Sequence, residues 1–339
     1  MTSVLQGGRR RRRPGAGIGR VLLLLVPVAI VVGVVVGFRH DHSSSKSRSR
    51  SSRPAPVHTP APASPRAQDQ PGATPSPGTA APDPAQAALA GVDAFHLRFK
   101  DPPRAAIVFD VKTGEVLWRR NPLKRTPIAS LTKIMTALLV VEHKHARDEI
   151  RIPKDALNYA GSGVGLLPKG RHVTIEALLH GLLLPSGNDA AIALADGVAG
   201  SRAQFVEMMN EKAQTLGLRC THFASPSGID DRDHSCAADL AALTRIVIAK
   251  ARIARIVRKA HAVVRFPIKG GKLYLNNTNP LLRMDYPGTI GLKTGDTFKA
   301  GHCLIAVVHR GGRTLAAIVL HSPNPQLQVR RLFAKAFRA

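Results

Sequence analysis

Residues 21–38 form an 18-residue stretch without a charged side chain, preceded by five consecutive arginines at positions 9–13 and by Arg20. As a helix rising about 1.5 Å per residue the stretch is about 27 Å long, enough to cross the hydrocarbon core of a bilayer. Clustered arginine stays on the cytoplasmic side. The expectation is therefore a cytoplasmic basic segment at 1–20, a single-pass transmembrane anchor in the cell membrane at 21–38, and an extracytoplasmic remainder. A cleaved secretory signal is the competing reading. It calls for a shorter apolar region, about 7–15 residues, and a small-residue cleavage site, whereas this run ends in Gly37-Phe38-Arg39-His40.

The next segment, 39–92, reads as a disordered linker. Ten of the 25 prolines fall between Pro54 and Pro84, among alanine, serine and threonine. Such a composition cannot bury enough apolar surface to offset its chain entropy. Extended at about 3.1 Å per residue, its roughly 50 residues would reach on the order of 150 Å. Charge is concentrated at the front of the chain. Residues 1–66 hold 12 Lys and Arg against the single acid Asp41, out of a formal net charge of +27. A basic run abutting an apolar stretch is an orientation signal, so no nucleic-acid partner is expected. Three cysteines in 339 residues exclude a disulfide-dense scaffold and a four-cysteine zinc site.

One folded domain is expected at 93–339. Residues 105–109 and 116–118 are apolar and flank Lys112-Thr113-Gly114, a hairpin pattern. Leu131, Ile134, Met135, Leu138 and Leu139 follow helical spacing, which predicts a helix from near Ser130 to near His143. Residues 175–184 and 190–194 read as two helices broken by Pro185-Ser186-Gly187-Asn188, and 205–216 as a third stopped by Gly217. A second hairpin, 303–309 and 314–320, flanks Arg310-Gly311-Gly312-Arg313, and a helix at 325–337 closes the chain. Strands at both ends with helices between them predict an α/β fold with an antiparallel sheet.

Three short motifs occur in one order: Ser130-Leu131-Thr132-Lys133, Ser186-Gly187-Asn188 and Lys293-Thr294-Gly295. Each alone is weak. Together they resemble the Ser-x-x-Lys, Ser-x-Asn, Lys-Thr-Gly set of penicillin-recognising serine enzymes. The surrounding residues sharpen the likeness. Pro127 through Ala137, Ser186 through Ala191, Gly291 through Thr297 and the Leu216 to Gly228 region resemble the low-molecular-mass penicillin-binding proteins, the D-alanyl-D-alanine carboxypeptidases. The resemblance runs from about Asp101 to the last residue. It implies the transpeptidase fold of penicillin-binding proteins and serine β-lactamases, an antiparallel sheet flanked by helices with a helical subdomain. It also implies peptidoglycan stem peptides as substrate, β-lactams as covalent inhibitors, and neither cofactor nor metal. By the same resemblance the oxyanion hole uses backbone N–H groups of Ser130 and Asp296. An aromatic residue or histidine is commoner at position 296. Because the backbone donates, aspartate there is expected to alter substrate preference or rate rather than abolish activity. A second, all-β domain often follows the catalytic one in this family. None is expected here, which leaves anchoring to the N-terminal segment.

The residues themselves give a physical reason for each role. Ser130 and Lys133 stand at i and i+3 and share one helix face. A serine hydroxyl needs a base to become a nucleophile, and lysine serves only when its pKa falls towards neutrality. Burial lowers it, and so does a nearby cation. Lys293 is that cation if the third motif lies across the cleft. A helix start favours negative charge developing on Ser130. Ser186 is placed to pass a proton to the leaving amine, and Asn188 to hold the substrate amide and orient Lys133. Lys293 and the Thr294 hydroxyl suit a free carboxylate. Gly295 lets a strand edge approach the peptide closely.

Three rivals stand beside this reading. A class A β-lactamase adds a Glu-x-x-x-Asn loop, and Glu207 to Asn210 is one residue too short for it. A peptidoglycan endopeptidase of the same fold would cut cross-links. A non-catalytic wall-binding relic would need no intact motif set. Asp230, Asp231 and Asp233 read as a solvated acidic turn, and the paired histidines His40/His42 and His143/His145 as solvated side chains. Cys220 and Cys236 are candidates for a disulfide outside the cytoplasm, and Cys303, in an apolar strand, for a buried free thiol.

Overall fold

The computed structural model describes residues 91–339. The expected segments 1–20 and 21–38, and all but the last two residues of 39–92, lie outside the described residues. Among the described residues no helix is long and apolar enough to cross a membrane.

The domain opens with strands β1 (Ala105–Asp110) and β2 (Val116–Arg120). Six helices follow: α1 (Lys133–His143), α2 (Ile175–Leu183), α3 (Asn188–Ala199), α4 (Arg202–Thr215), α5 (Ala237–Ala249) and α6 (Ala251–Val257). A hairpin of β3 (His261–Arg265) and β4 (Lys272–Asn276) and the one-turn α7 (Pro280–Arg283) lead to β5 (Thr289–Thr297). Strands β6 (Gly301–Arg310) and β7 (Arg313–Ser322) and the helix α8 (Pro325–Ala336) complete it. The main sheet is antiparallel, in the order β2-β1-β7-β6-β5, so the first and last strands of the domain meet near its centre, with Ile107 opposite Ile318.

Both faces of this sheet are covered, which is why its central strands read as unbroken apolar runs rather than as an alternation. Ile107, Phe109, Ile305, Val307, Ile318 and Leu320 point to one side, into a core shared with the helices between the two hairpins. Ala106, Val108, Leu304, Ala306, Val308, Ala317 and Val319 point to the other, where Val329, Leu332 and Phe333 of α8 cover them. Asn324 starts α8 by accepting a hydrogen bond from the Leu327 N–H, and Pro325 occupies the first turn, where its missing N–H costs nothing. Helix α1 is buried along its length from Lys133 to Val140. A helix buried on every side belongs in the interior, and α2, α3 and α5 pack around it.

Both expected hairpins, the helix after Ser130, the α2–α3 break and the closing helix are present. The expected helix at 190–194 is longer. It begins at Asn188 and runs to Ala199, where Gly200 ends it in a left-handed conformation at φ 84°. The β3–β4 hairpin and helices α5 and α6 are additions to the sequence reading. Phe333 is fully buried between α8 and the sheet. Phe333→Ala should cost roughly 3–5 kcal/mol, read as a lower urea midpoint.

Candidate active site

The nucleophile candidate lies on a tight turn. Ala129–Thr132 is a 3₁₀ segment, and α1 begins at Lys133. In a 3₁₀ turn, side chains three apart stand over one another. Lys133 Nζ accordingly reaches Ser130 Oγ at 2.8 Å. The turn is entered through Ala129 at φ 47°, an unfavourable conformation for a residue with a Cβ. Gly228 packs beneath it, and a Cβ at position 228 would collide with the Ala129 carbonyl.

Lys133 is fully buried and has two further partners, Asn188 Oδ1 at 2.6 Å and the Ser227 carbonyl at 2.7 Å. The Asn188 amide group donates to the Ala160 carbonyl, which leaves its oxygen facing the lysine. Both partners accept only. A neutral amine has two N–H groups and one lone pair. Lys133 donates to Ser130 Oγ in this geometry; once neutral, its two N–H groups suffice for the two oxygens and its lone pair is free to take the Ser130 proton. Burial, and after it the charge of Lys293, hold Lys133 well below the ordinary lysine value, against the weaker pull of Asp233 and Asp189. Burial alone brings Lys293 down to about 7. The sequence-expected pair is therefore in place, with both amines shifted down by burial and Lys133 also by the charge of Lys293.

The second motif ends the break between α2 and α3. Ser186 sits at φ 67°, and its buried Oγ has no hydrogen-bond partner among the described residues. Asn188 is the first residue of α3. Asp189, also buried, accepts from the Val164, Gly165 and Ala190 N–H groups and ties the 162–165 segment to this corner. The third motif lies on β5, the edge of the main sheet. A Cβ on Gly295 would press on the Ile128 carbonyl and Ala129, so glycine lets this strand lie against the nucleophile turn. Ser130, Ser186, Thr294, Gly295 and Asp296 line one cleft of about 330 Å³, together with Ser162, Thr278 and His302. Of the sequence-expected residues, the first five named line the cleft, whereas Lys133, Asn188 and Lys293 are buried and do not line it.

Several contributors escaped the sequence reading. Thr278 meets the Thr294 hydroxyl at 2.6 Å. His302 stands opposite Asp296 in the β5–β6 register, with Nδ1 3.2 Å from its carboxylate. Asp233 is a correction. It is buried, not solvated, and accepts from the Ala224 and Ser225 N–H groups and the Ser225 hydroxyl. Burial raises its pKa, against those hydrogen bonds. It shapes the 224–228 loop that supplies the Ser227 carbonyl. Cys220 and Cys236 form a disulfide that closes this same segment, and Cys303 is a buried free thiol. Asn210 binds the Phe223 backbone through both ends of its amide, a structural use that leaves it no place in a deacylating pair with Glu207.

A base must be neutral to take the Ser130 proton, so acylation should rise with pH as Lys133 deprotonates, well below the ordinary lysine pKa of 10.5. Lys293→Gln removes the positive neighbour and should move this rising limb to higher pH. Stopped-flow acylation by a fluorescent penicillin from mildly acidic to alkaline pH measures it, since Lys293 holds its charge below about 7, and an unmoved limb would refute the coupling.

Residues 101–324 match the D-alanyl-D-alanine carboxypeptidase family, peptidase S11. Among curated relatives, D-alanyl-D-alanine carboxypeptidase DacF of Bacillus subtilis is 34% identical over 243 residues, covering 69% of this chain and 62% of that protein. D-alanyl-D-alanine carboxypeptidase DacD of Escherichia coli is 36% identical over 225 residues, 63% of this chain and 57% of the relative. The chain thus spans about three fifths of the length of these curated relatives. Among solved structures, a D-alanyl-D-alanine carboxypeptidase from Mycobacterium tuberculosis superposes with a TM-score of 0.68 at 33% identity, covering 74% of this chain and 97% of that one. The Streptomyces K15 DD-transpeptidase gives 0.63 at 31% identity, covering 68% and 93%. On the match across 101–324, the chain belongs to the D-alanyl-D-alanine carboxypeptidase family.

Proposed function

We propose that this protein is a membrane-anchored, extracytoplasmic serine D-Ala-D-Ala carboxypeptidase that trims peptidoglycan stem peptides. The observation that carries the chemistry is the buried Lys133 amine, bonded to Ser130 Oγ and to two acceptor-only oxygens. Ser130 Oγ attacks the carbonyl of the penultimate D-Ala while Lys133 takes its proton. The developing oxyanion is met by the backbone N–H groups of Ser130 and Asp296. Ser186, whose hydroxyl has no protein partner among the described residues, relays a proton to the departing amine, and the C–N bond breaks to release D-Ala. Asn188 holds the substrate amide, and Lys293 and Thr294 meet the terminal carboxylate. Water then hydrolyses the ester on Ser130.

Anchoring is supported by the apolar stretch 21–38 behind its arginine run, and the extracytoplasmic placement by the same orientation rule. The Cys220–Cys236 disulfide is at home in an oxidising compartment. β-Lactams, which present a strained amide and a carboxylate, acylate the same serine.

Incubated with a pentapeptide ending in D-Ala-D-Ala, the protein should liberate D-Ala, and mass spectrometry after penicillin treatment should place the adduct on Ser130. Ser130→Ala should lower D-Ala release on the order of 10⁴-fold or more and abolish the adduct. Absence of both D-Ala release and penicillin labelling in the unaltered protein would reject the assignment.

A further inference from the structure

Two short strands outside the main sheet, Glu149–Arg151 and His172–Thr174, pair as an antiparallel ribbon. Ile150 and Val173 are buried and pin the ribbon to the core, while Glu149, Arg151 and His172 are exposed. With a side-chain period of two, the exposed three stand on one outward face.

This face adjoins two cavities. One, of about 290 Å³, is lined by Arg151, Lys154 and Lys169 and by no acid. The other, of about 370 Å³, lies between the ribbon and the turn of the β3–β4 hairpin. Arg265, Lys272 and His172 line it, with Glu149 as its acid. Arg265 and Lys272 are strand partners and leave the hairpin on the same side. Arg151 lines the first cavity and its strand partner His172 the second, so the two basic hollows are neighbours.

These cations have no counter-charge in the protein. Among the described residues none of Arg151, Lys154, Lys169, Arg265 and Lys272 forms an ion pair, and Arg151 spends its Nε on the Gly170 carbonyl. The acids are engaged elsewhere. Glu142 holds Lys212 and Lys250, Glu176 holds Arg252, and Asp231 holds Lys299. Asp155, next to Lys154 in the chain, pairs with Arg202 instead. Like charges converging on two hollows repel one another and weaken the folded state. An anion bound from outside offsets that cost.

The shape of the site narrows the anion. Arginine meets phosphate oxygens through its fork of N–H groups, and lysine as a point charge. Neighbouring cavities on one exposed ribbon suit successive charges of a single chain, the second bound at the high effective concentration set by the first. A bilayer presents its phosphates on a broad plane, whereas these cations line recesses, which a slender flexible polymer can enter.

We infer that this ribbon and the two cavities beside it bind a phosphodiester-linked polyanion of the cell wall and hold the domain against the wall. The site shares no lining residue with the Ser130 cleft. From the reading above it takes only the extracytoplasmic placement, which makes a wall polymer rather than nucleic acid the polyanion that the domain meets.

The test uses detergent-solubilised full-length protein and fluorescently labelled poly(glycerol phosphate). Arg151→Glu with Lys154→Glu, and separately Arg265→Glu with Lys272→Glu, should each weaken binding about tenfold or more. Arg330→Glu with Lys335→Glu makes the same charge change at exposed positions of α8, across the main sheet, and should leave binding within about twofold. Near-UV circular dichroism should be unchanged in all three. In the unaltered protein the polymer should slow amide hydrogen exchange in 149–154 and 265–272 and leave 326–336 as it was, a local readout that separates the ribbon from the arginine run at 9–13. Equal loss in the α8 variant, or no protection of the ribbon, overturns the inference. So does equal protection by inorganic phosphate at matched phosphate concentration, the sign of isolated anion sites. Protection by micelles containing phosphatidylglycerol but not by the polymer, the sign of a bilayer-facing surface, overturns it as well. None of these readouts depends on catalysis, so failure of the carboxypeptidase reading would not move them.

Discussion

Burial without a carboxylate in contact weighs against the charged form of an amine, and Lys133 has no carboxylate in hydrogen-bond contact. Its three partners are a hydroxyl, an amide oxygen and a backbone carbonyl, from the nucleophile turn, the start of α3 and the 224–228 loop. Each lies on a separate segment of chain, and the amine is satisfied only when all three are in place. The architecture around the cleft is a set of devices for holding those oxygens still.

The supports differ in kind. Asp189 fixes the corner of α3 by collecting three backbone N–H groups, so Asn188 is presented from a rigid helix start. Asp233 does the same for the loop bearing Ser227, and the Cys220–Cys236 bond closes that segment from outside. Gly228 and Gly295 let the loop and the β5 edge lie against the turn from two directions. Backbone strain at Ala129 and Ser186 is tolerated because the surroundings over-determine both positions. The two serines of the site are thus held by packing rather than by their own conformational preference.

The parts of this arrangement that follow local rules were legible in the sequence. Apolar runs around Gly-Gly and Thr-Gly turns marked both sheet hairpins, and helical spacing marked α1. The three motifs named Ser130, Lys133, Ser186, Asn188 and Lys293, because their residue types carry chemistry that few other combinations supply. What stayed hidden depends on tertiary neighbours. Ser227 acts through its carbonyl, which every residue possesses. Asp233 looks no different from Asp230 and Asp231 in the chain, and burial beneath the 224–228 loop is what separates them. The β3–β4 hairpin is short, and apolar Val263 and Tyr274 at exposed positions mask its alternation. Thr278 gains its place only when β5 arrives beside it.

The pairing of β1 with β7 sets the timetable of folding. Ala105 and Leu320 are strand partners, so β7, which fills the centre of the sheet, is synthesised long after the strand it joins. Contacts so distant in sequence form late and slowly. The nucleophile turn follows β2, yet the edge that completes its cleft belongs to β5. Until the C-terminal strands emerge, the nascent polypeptide holds three inert motifs and no hydrolase, a latency built into connectivity alone.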